Sequence, residues 1–131
     1  MIVADTDVLI DFLNGSGLAE RVALELETGS LATTAVSRFE LLSGARTPKH
    51  RRVVTELLDG MSTLPLDRAA ADDAASIRHS LERRGEGIGM ADSLIAGIVR
   101  AHGGMLLTRN VAHFERVEGL ALSLAGRNTA G

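Results

Sequence analysis

The sequence predicts an α/β fold: a single domain over residues 1–131, with a mostly parallel sheet of four to five strands flanked by helices. Three observations carry this prediction. Short apolar runs of strand length alternate with longer stretches whose apolar residues repeat at helical spacing. Glycine, proline or asparagine punctuates most of the junctions. At 131 residues the chain is one domain's worth, long enough to bury a core, and it holds no internal repeat, linker or low-complexity stretch.

Ile2-Val3-Ala4 is an apolar run suited to a central parallel strand. From Thr6 the pattern turns helical, with Val8, Leu9, Phe12 and Leu13 on one face, until Asn14-Gly15-Ser16-Gly17 stops it. A second amphipathic stretch runs from Leu18 to Glu27 and ends at Gly29. Leu31-Ala32-Thr33 reads as a strand and Val36 to Ala45 as a helix, closed off by Thr47-Pro48. Lys49 to Leu58 is helical, and "STLPL" gives a short strand. Asp67 is the expected N-cap of a long helix from Arg68 to Arg83. Gly85, Gly87 and Gly89 mark a loop before a helix from Met90 to His102. Met105-Leu106-Leu107 is a strand, Asn110 to Phe114 a helical turn, and Leu120-Ala121-Leu122 a last edge strand. The small, polar tail from about residue 125, "AGRNTAG", is expected to fray.

Composition narrows the chemistry. Hydrophobic residues make up 45% of the chain but aromatics only 2%, so the core must be aliphatic. Cysteine is absent, which excludes disulfides, thiolate metal sites and cysteine nucleophiles. No apolar run approaches the roughly 18 residues of a membrane span, and a basic leader is missing, so a soluble cytoplasmic protein is expected. The net charge of −3 argues against a general polyanion binder. Of the fourteen basic residues only Lys49 is lysine. The others are arginines, the better residue for bidentate phosphate contacts.

In a parallel α/β sheet the functional crevice lies beyond the carboxyl ends of the strands, and acids gather there. Asp5 directly follows the first strand, where capping the next helix is its alternative role. Asp7 and Asp11 lie four apart on that helix, opposite its apolar face, and read as a solvated face, with Asp7 near enough to Asp5 to help. Asp92 is the only charge in "IGMADSLIAGIV". A lone carboxylate among such neighbours is costly unless paired or cation-bound. Ser93 leaves open an exposed strip instead. Glu40 has Val36, Ser37, Ser43 and Gly44 at helical spacing, a slender face suited to a narrow cleft. Thr108 and Asn110 follow the strand Met105–Leu107, where Asn110 also suits a cap. His113 is read as a helix-surface residue.

Asp5, Glu40, Asp92 and Asn110 thus converge on strand ends or the helices beside them. Three close carboxylates raise one another's pKa. Protonation or a divalent cation relieves this, and an all-oxygen donor set favours Mg²⁺ or Mn²⁺. Such an ion activates water and neutralises a phosphate in in-line displacement.

The stretches "IVADTDVLIDFL", "AVSRFELLSGA", "GIGMADSLIAG" and "LLTRNVAHF" resemble the PIN-domain family, and within it the VapC-type toxins of bacterial toxin–antitoxin pairs. The resemblance covers essentially the whole chain, in the family's order and spacing. It implies a Mg²⁺-dependent (or Mn²⁺-dependent) ribonuclease acting on cellular RNA, often tRNA or rRNA. It also implies a homodimer held inactive by a cognate VapB-type antitoxin. By the same resemblance Asp5 matches the first metal-binding acid, and Asp92 the other principal ligand. Glu40 matches the second acid, acting directly or through water. Asn110 falls where many relatives carry a fourth Asp, which makes one-metal catalysis plausible. Thr6 and Thr108 match hydroxyl positions that shape the site.

Arg83, Arg84 and Arg109 are the expected contacts to RNA phosphates around the acidic cleft. Solvation at helix ends is the plainer reading of Arg83 and Arg84. With only Phe12, Phe39 and Phe114 as aromatics, base stacking is not a major source of RNA affinity. The apolar side of the Leu18–Glu27 and Lys49–Leu58 helices is the expected dimer surface. Two other classes stay open. "DTDVL" looks like the nucleophile motif of haloacid-dehalogenase-type phosphatases, although Lys49 is the only lysine and Asp72-Asp73 falls inside a helix; a response-regulator receiver fails on the same missing lysine. A catalytically silent PIN-like module that binds RNA or protein is the other.

Overall fold

The computed structural model describes residues 1–123; the tail expected to fray lies outside them. Five strands form one sheet: β1 (Ile2–Ala4), β2 (Leu31–Thr34), β3 (Ser62–Leu64), β4 (Met105–Leu107) and β5 (Ala121–Ser123). Their order is β3-β2-β1-β4-β5, and every neighbouring pair is parallel. Central β1 pairs Ile2 with Leu31 on one side and with Met105 on the other.

The helices are α1 (Thr6–Asn14), α2 (Ala19–Thr28), α3 (Ala35–Gly44), α4 (Pro48–Asp59), α5 (Arg68–Arg83), α6 (Met90–His102) and the short α7 (Val111–Phe114). Among the described residues no helix is long and apolar enough to cross a membrane. All the expected elements are present, with boundaries moved by a residue or two. Pro48 rather than Lys49 opens α4, because proline suits the first helical position behind the Thr47 cap. Pro65 falls outside β3, where it would break the ladder.

Side chains alternate across each short strand and fill a core on both faces of the sheet. Val3, Ala32 and Leu106 pack with Ile77 and Leu81 of α5 and Ile95, Ala96 and Val99 of α6. Ala4, Leu31 and Leu107 pack on the other face with Val8, Leu9, Val22, Leu41, Val54 and Leu58. Of the expected dimer surface, Val22 on α2 and Val54, Leu57 and Leu58 on α4 are buried in this second core, while Leu24 on α2 and Val53 on α4 stay exposed.

Gly97 brings α5 and α6 together. A methyl group at this position would lie 2.6 Å from both the Cβ and the backbone nitrogen of Ala74. This close approach sets the level at which α6 presents its first turn, which bears Asp92.

Candidate active site

The site forms where β1 and β4 end. The Asp5 amide donates to the Leu107 carbonyl (2.9 Å), carrying the sheet ladder one residue past β1. Asp5 is only 5% exposed. Its Oδ1 accepts the Thr6 amide (2.8 Å), and its Oδ2 accepts the Thr108 hydroxyl (2.7 Å). One carboxylate therefore caps α1 and receives a hydroxyl from the end of β4. Burial above all, then the Asp7 charge and, least of the three, Asp92, push the Asp5 pKa up from 3.8 to about 7, against the pull of the two hydrogen bonds.

The solvated-face reading of Asp7 and Asp11 is corrected. Asp7 is half-buried, and Oδ2 accepts the Arg109 amide at 3.0 Å. Its Oδ1 is buried without a hydrogen-bond partner. Desolvation raises its pKa, partly offset by the Arg109 amide and guanidinium. Asp11 is buried, and its Oδ2 accepts the Leu18 amide (3.1 Å) and pairs with Arg109 Nε (2.9 Å). Neither role was readable locally, since both depend on residue 109 folding back onto α1.

Glu40 stands on α3, partly exposed. Thr6 Oγ1 lies 2.6 Å from Glu40 Oε1 and 2.9 Å from Ser37 Oγ. A hydroxyl has one proton and a carboxylate only accepts. Thr6 therefore donates to Glu40, which leaves Ser37 to donate to Thr6. The Thr34 hydroxyl, 3.2 Å behind, completes the file by donating to Ser37. Ser37 is fully buried, although along the sequence it stands out only as a small neighbour of Glu40.

Asp92 sits in the first turn of α6, partly exposed, with Oδ2 3.2 Å from His113 Nδ1. Ser93 does not share an exposed strip with it: Ser93 is buried and donates to the Gly89 carbonyl (2.7 Å). Asn110 precedes α7 but makes no side-chain cap. Its Nδ2 lies 2.8 Å from the same His113 Nδ1, and its amide donates to Thr108 Oγ1 (3.0 Å). His113 is thus not a plain surface residue. A ring nitrogen that accepts from Asn110 cannot also donate to Asp92, so the tautomer selects which one it holds. The signal was the Asn110–His113 spacing of three on a helical turn.

Among the described residues, no three His, Asp or Glu side chains by themselves converge tightly enough to enclose an ion. The arrangement still fits a hard divalent cation. The donors are all oxygens, Asp5 feels the field of Asp92, and Asp7 Oδ1 is a buried acceptor with no donor. Mg²⁺ commonly takes one or two carboxylates and keeps water elsewhere.

Two of the three expected phosphate contacts are engaged within the chain. Arg84 pairs with Glu86 (2.9 Å) and donates to the Arg116 carbonyl (2.8 Å); Arg109 pairs with Asp11. Arg83, at the end of α5, is exposed. Lys49 is exposed on α4, and Asp73 is held by Arg100 inside the α5–α6 pair, so neither joins the Asp5 site as a phosphatase would need.

A PIN domain profile matches residues 2–120. The chain is 32% identical over 120 residues to the tRNA(fMet)-specific endonuclease VapC of Shigella flexneri, covering 88% of this chain and 91% of that protein. It is 36% identical over 121 residues to Ribonuclease VapC10 of Mycobacterium tuberculosis, covering 92% and 90%. The DNA-bound VapBC structure from Salmonella typhimurium superimposes with a TM-score of 0.81 at 26% identity, over 93% of this chain and 96% of that one. VapBC-1 from nontypeable Haemophilus influenzae gives 0.81 at 25% identity, over 94% and 97%. With a family profile across nearly its whole length and VapC proteins among its relatives, the chain belongs to the PIN-domain family, in its VapC group.

Proposed function

We propose that this chain is a VapC-type toxin: a divalent-metal-dependent endoribonuclease that cleaves cellular RNA and is restrained by a cognate VapB-type antitoxin. The observation that carries the reading is the Asp5 carboxylate. It is buried at the end of the central strand, held by Thr108 and exposed to the charges of Asp7 and Asp92. Burying an acid in such a field is unfavourable without a counter-charge, and sites of this kind are usually functional. A VapC relative named for tRNA(fMet) makes tRNA the first substrate class to test, with rRNA second.

Asp5 and Asp92 would hold Mg²⁺ or Mn²⁺, with Glu40 bound directly or through water and Asn110 at the rim. When bound, the ion supplies an acidified water and neutralises charge on the scissile phosphate. The chain's own residues do the rest. Thr108 and Thr6 aim the Asp5 and Glu40 oxygens. Arg83, exposed where α5 ends, meets the RNA backbone outside the cleft, while Arg84 stays with Glu86 and the Arg116 carbonyl.

A second copy of the chain is the occupant we assign to the apolar groove between α3 and α6. Phe39 (69% exposed) and Met90 (64%) line it with Leu66 and Leu94, and Glu40 stands at its edge. Large exposed apolar side chains gathered on one face mark association surfaces.

The test is cleavage of total cellular RNA by the purified, antitoxin-free protein in Mg²⁺ or Mn²⁺ and in EDTA, beside Asp5→Ala. Discrete products that need metal and vanish in the variant support the reading, and sequencing their ends names the target. Folded protein that yields no products at any metal concentration turns the choice to a silent binding module.

A further inference from the structure

We propose that Arg109 is a positioning residue: anchored on the buried Asp11 carboxylate, it holds the β4–α7 loop so that Thr108 and Asn110 meet the acids of the site. This rests on the nuclease reading for its consequence, but the clamp itself stands on contacts at residues 108–110.

Every residue of the loop is held by a different group. Thr108 donates its hydroxyl to Asp5 Oδ2 (2.7 Å). Arg109 is gripped twice from α1: its amide by Asp7 Oδ2 (3.0 Å), and its guanidinium, one helical turn later, by Asp11 Oδ2 (2.9 Å). Asn110 donates its amide to Thr108 Oγ1 (3.0 Å). Asp7 and Asp11 are four apart, the spacing that stacks two side chains on one helix face, and that face is turned to the loop.

Asp11 is built to be an anchor. It is only 6% exposed, so its charge needs a partner. The Leu18 amide and Arg109 Nε both serve its Oδ2. The α1–α2 turn folds over the carboxylate at Gly17, where φ is +53° and a methyl group would come within 2.9 Å of all three carboxylate atoms. The turn therefore closes on Asp11, and Asp11 holds residue 109. A guanidinium committed in this way is not free to follow an RNA strand. Its substitution should act on the metal site rather than on phosphate binding.

The test uses Arg109→Ala, Asp11→Asn and the double variant, each checked for native folding by thermal melting. Arg109 is about half exposed and its variant carries the test alone should Asp11→Asn not fold. Residue-resolved amide exchange in metal-free protein reads the loop directly. The Arg109 and Asn110 amides should exchange faster in every variant. Calorimetric Mn²⁺ affinity should fall by about tenfold, the usual scale for losing a supporting partner of a metal ligand. Cleavage should lose kcat with KM for RNA unchanged, and the double variant should be no worse than either single one.

Unchanged loop exchange and Mn²⁺ affinity, with a raised KM and a shallower salt dependence in Arg109→Ala alone, would overturn the proposal and make Arg109 a phosphate contact. Additive losses in the double variant would overturn the pair as a unit. Failure of the nuclease reading looks different: a wild type that binds no Mn²⁺ and cuts no RNA, with the loop still loosened in the variants.

Discussion

The hydroxyl of Thr108, at the end of β4, lies 2.7 Å from Asp5 Oδ2, at the end of β1. This contact ties together the two strand ends that form the cleft, and it lowers the pKa of an acid that burial drives from 3.8 to about 7. Burial wins, so between those values the folded protein holds a proton that the unfolded chain has lost. Metal-free stability should therefore fall as pH rises from about 4 to about 7 and stay low above that. At roughly 1.4 kcal/mol per unit the loss is on the order of a few kcal/mol. Asp5→Asn keeps an acceptor for the Thr6 amide and removes the charge. It should melt higher than wild type at pH 8 in EDTA and show a flatter profile. Divalent metal should stabilise the wild type and not the variant. Urea titrations at pH 5, 6.5 and 8 decide it; equal pH slopes would point to another group.

Ser37 is the buried middle of the hydroxyl file that ends on Glu40. Ser37→Ala leaves Thr6 without its donor and Thr34 without its acceptor, at a cost of about 1–3 kcal/mol. The Thr6 hydroxyl that donates to Glu40 then loses the contact that fixes it, while the Asp5–Thr108 contact is untouched. Cleavage should fall about tenfold, the scale of a lost supporting hydrogen bond, with Mn²⁺ affinity nearly unchanged. Wild-type cleavage in a folded variant would show that the file is structural only.

Strand ends and helix caps could be read along the chain because each is a local decision. The apolar run Ile2–Ala4 must be buried, and the acid that follows it must then stand at its end. That logic puts Asp5, Thr108 and Asn110 at or just past the ends of β1 and β4. The small residues around Glu40 likewise announced a close neighbour, and Thr6 of α1 is that neighbour. Pairings between distant segments were beyond this kind of reading. Asp11 looked solvated because its helix face is polar, yet Arg109 arrives from the far end of the chain and buries it. His113 looked like a surface residue because its link to Asp92 joins α7 to α6, two helices whose approach no periodicity encodes. Likewise α2 and α4 turn Val22, Val54, Leu57 and Leu58 inward and leave Leu24 and Val53 exposed, while Phe39 and Met90 stand out on α3 and α6.

Phe39 and Met90 give the association surface a direct test. Phe39→Glu places a charge in the α3–α6 groove without touching the core, since Phe39 is exposed. Light scattering after size exclusion should find the wild type dimeric and the variant monomeric, with its melting little changed. A variant that stays dimeric would place the second copy elsewhere.

Gly97 links core packing to the site. Its close approach to Ala74 leaves no room for a methyl group, and the contacting atoms include backbone that cannot swing aside. Gly97→Ala should force α5 and α6 apart at a cost of about 1–3 kcal/mol, the range for overpacking a filled core. Urea midpoints measure the loss. Because α6 carries Asp92, cleavage should fall further than stability alone explains at a temperature where the variant is fully folded. Serine at this position should be no better than alanine, since the clash is with the Cβ.

Asp92 is the sharpest test of the metal assignment because it is partly exposed and its removal leaves the core intact. Asp92→Asn keeps the side chain's shape and an oxygen that accepts from His113 Nδ1 in the tautomer that does not hold Asn110. What it loses is one negative charge beside Asp5. Metal-dependent cleavage should vanish while melting in EDTA stays within about 0.5 kcal/mol of wild type, as for other substitutions away from the core. Mn²⁺ binding should weaken by at least tenfold, since a direct ligand counts for more than a supporting partner. The Asp5 pKa should fall, because a charge that raises it has gone; carboxyl carbon NMR shifts read this without metal. Wild-type cleavage in Asp92→Asn would refute the site, and an unmoved Asp5 titration would show that the two acids do not share a field.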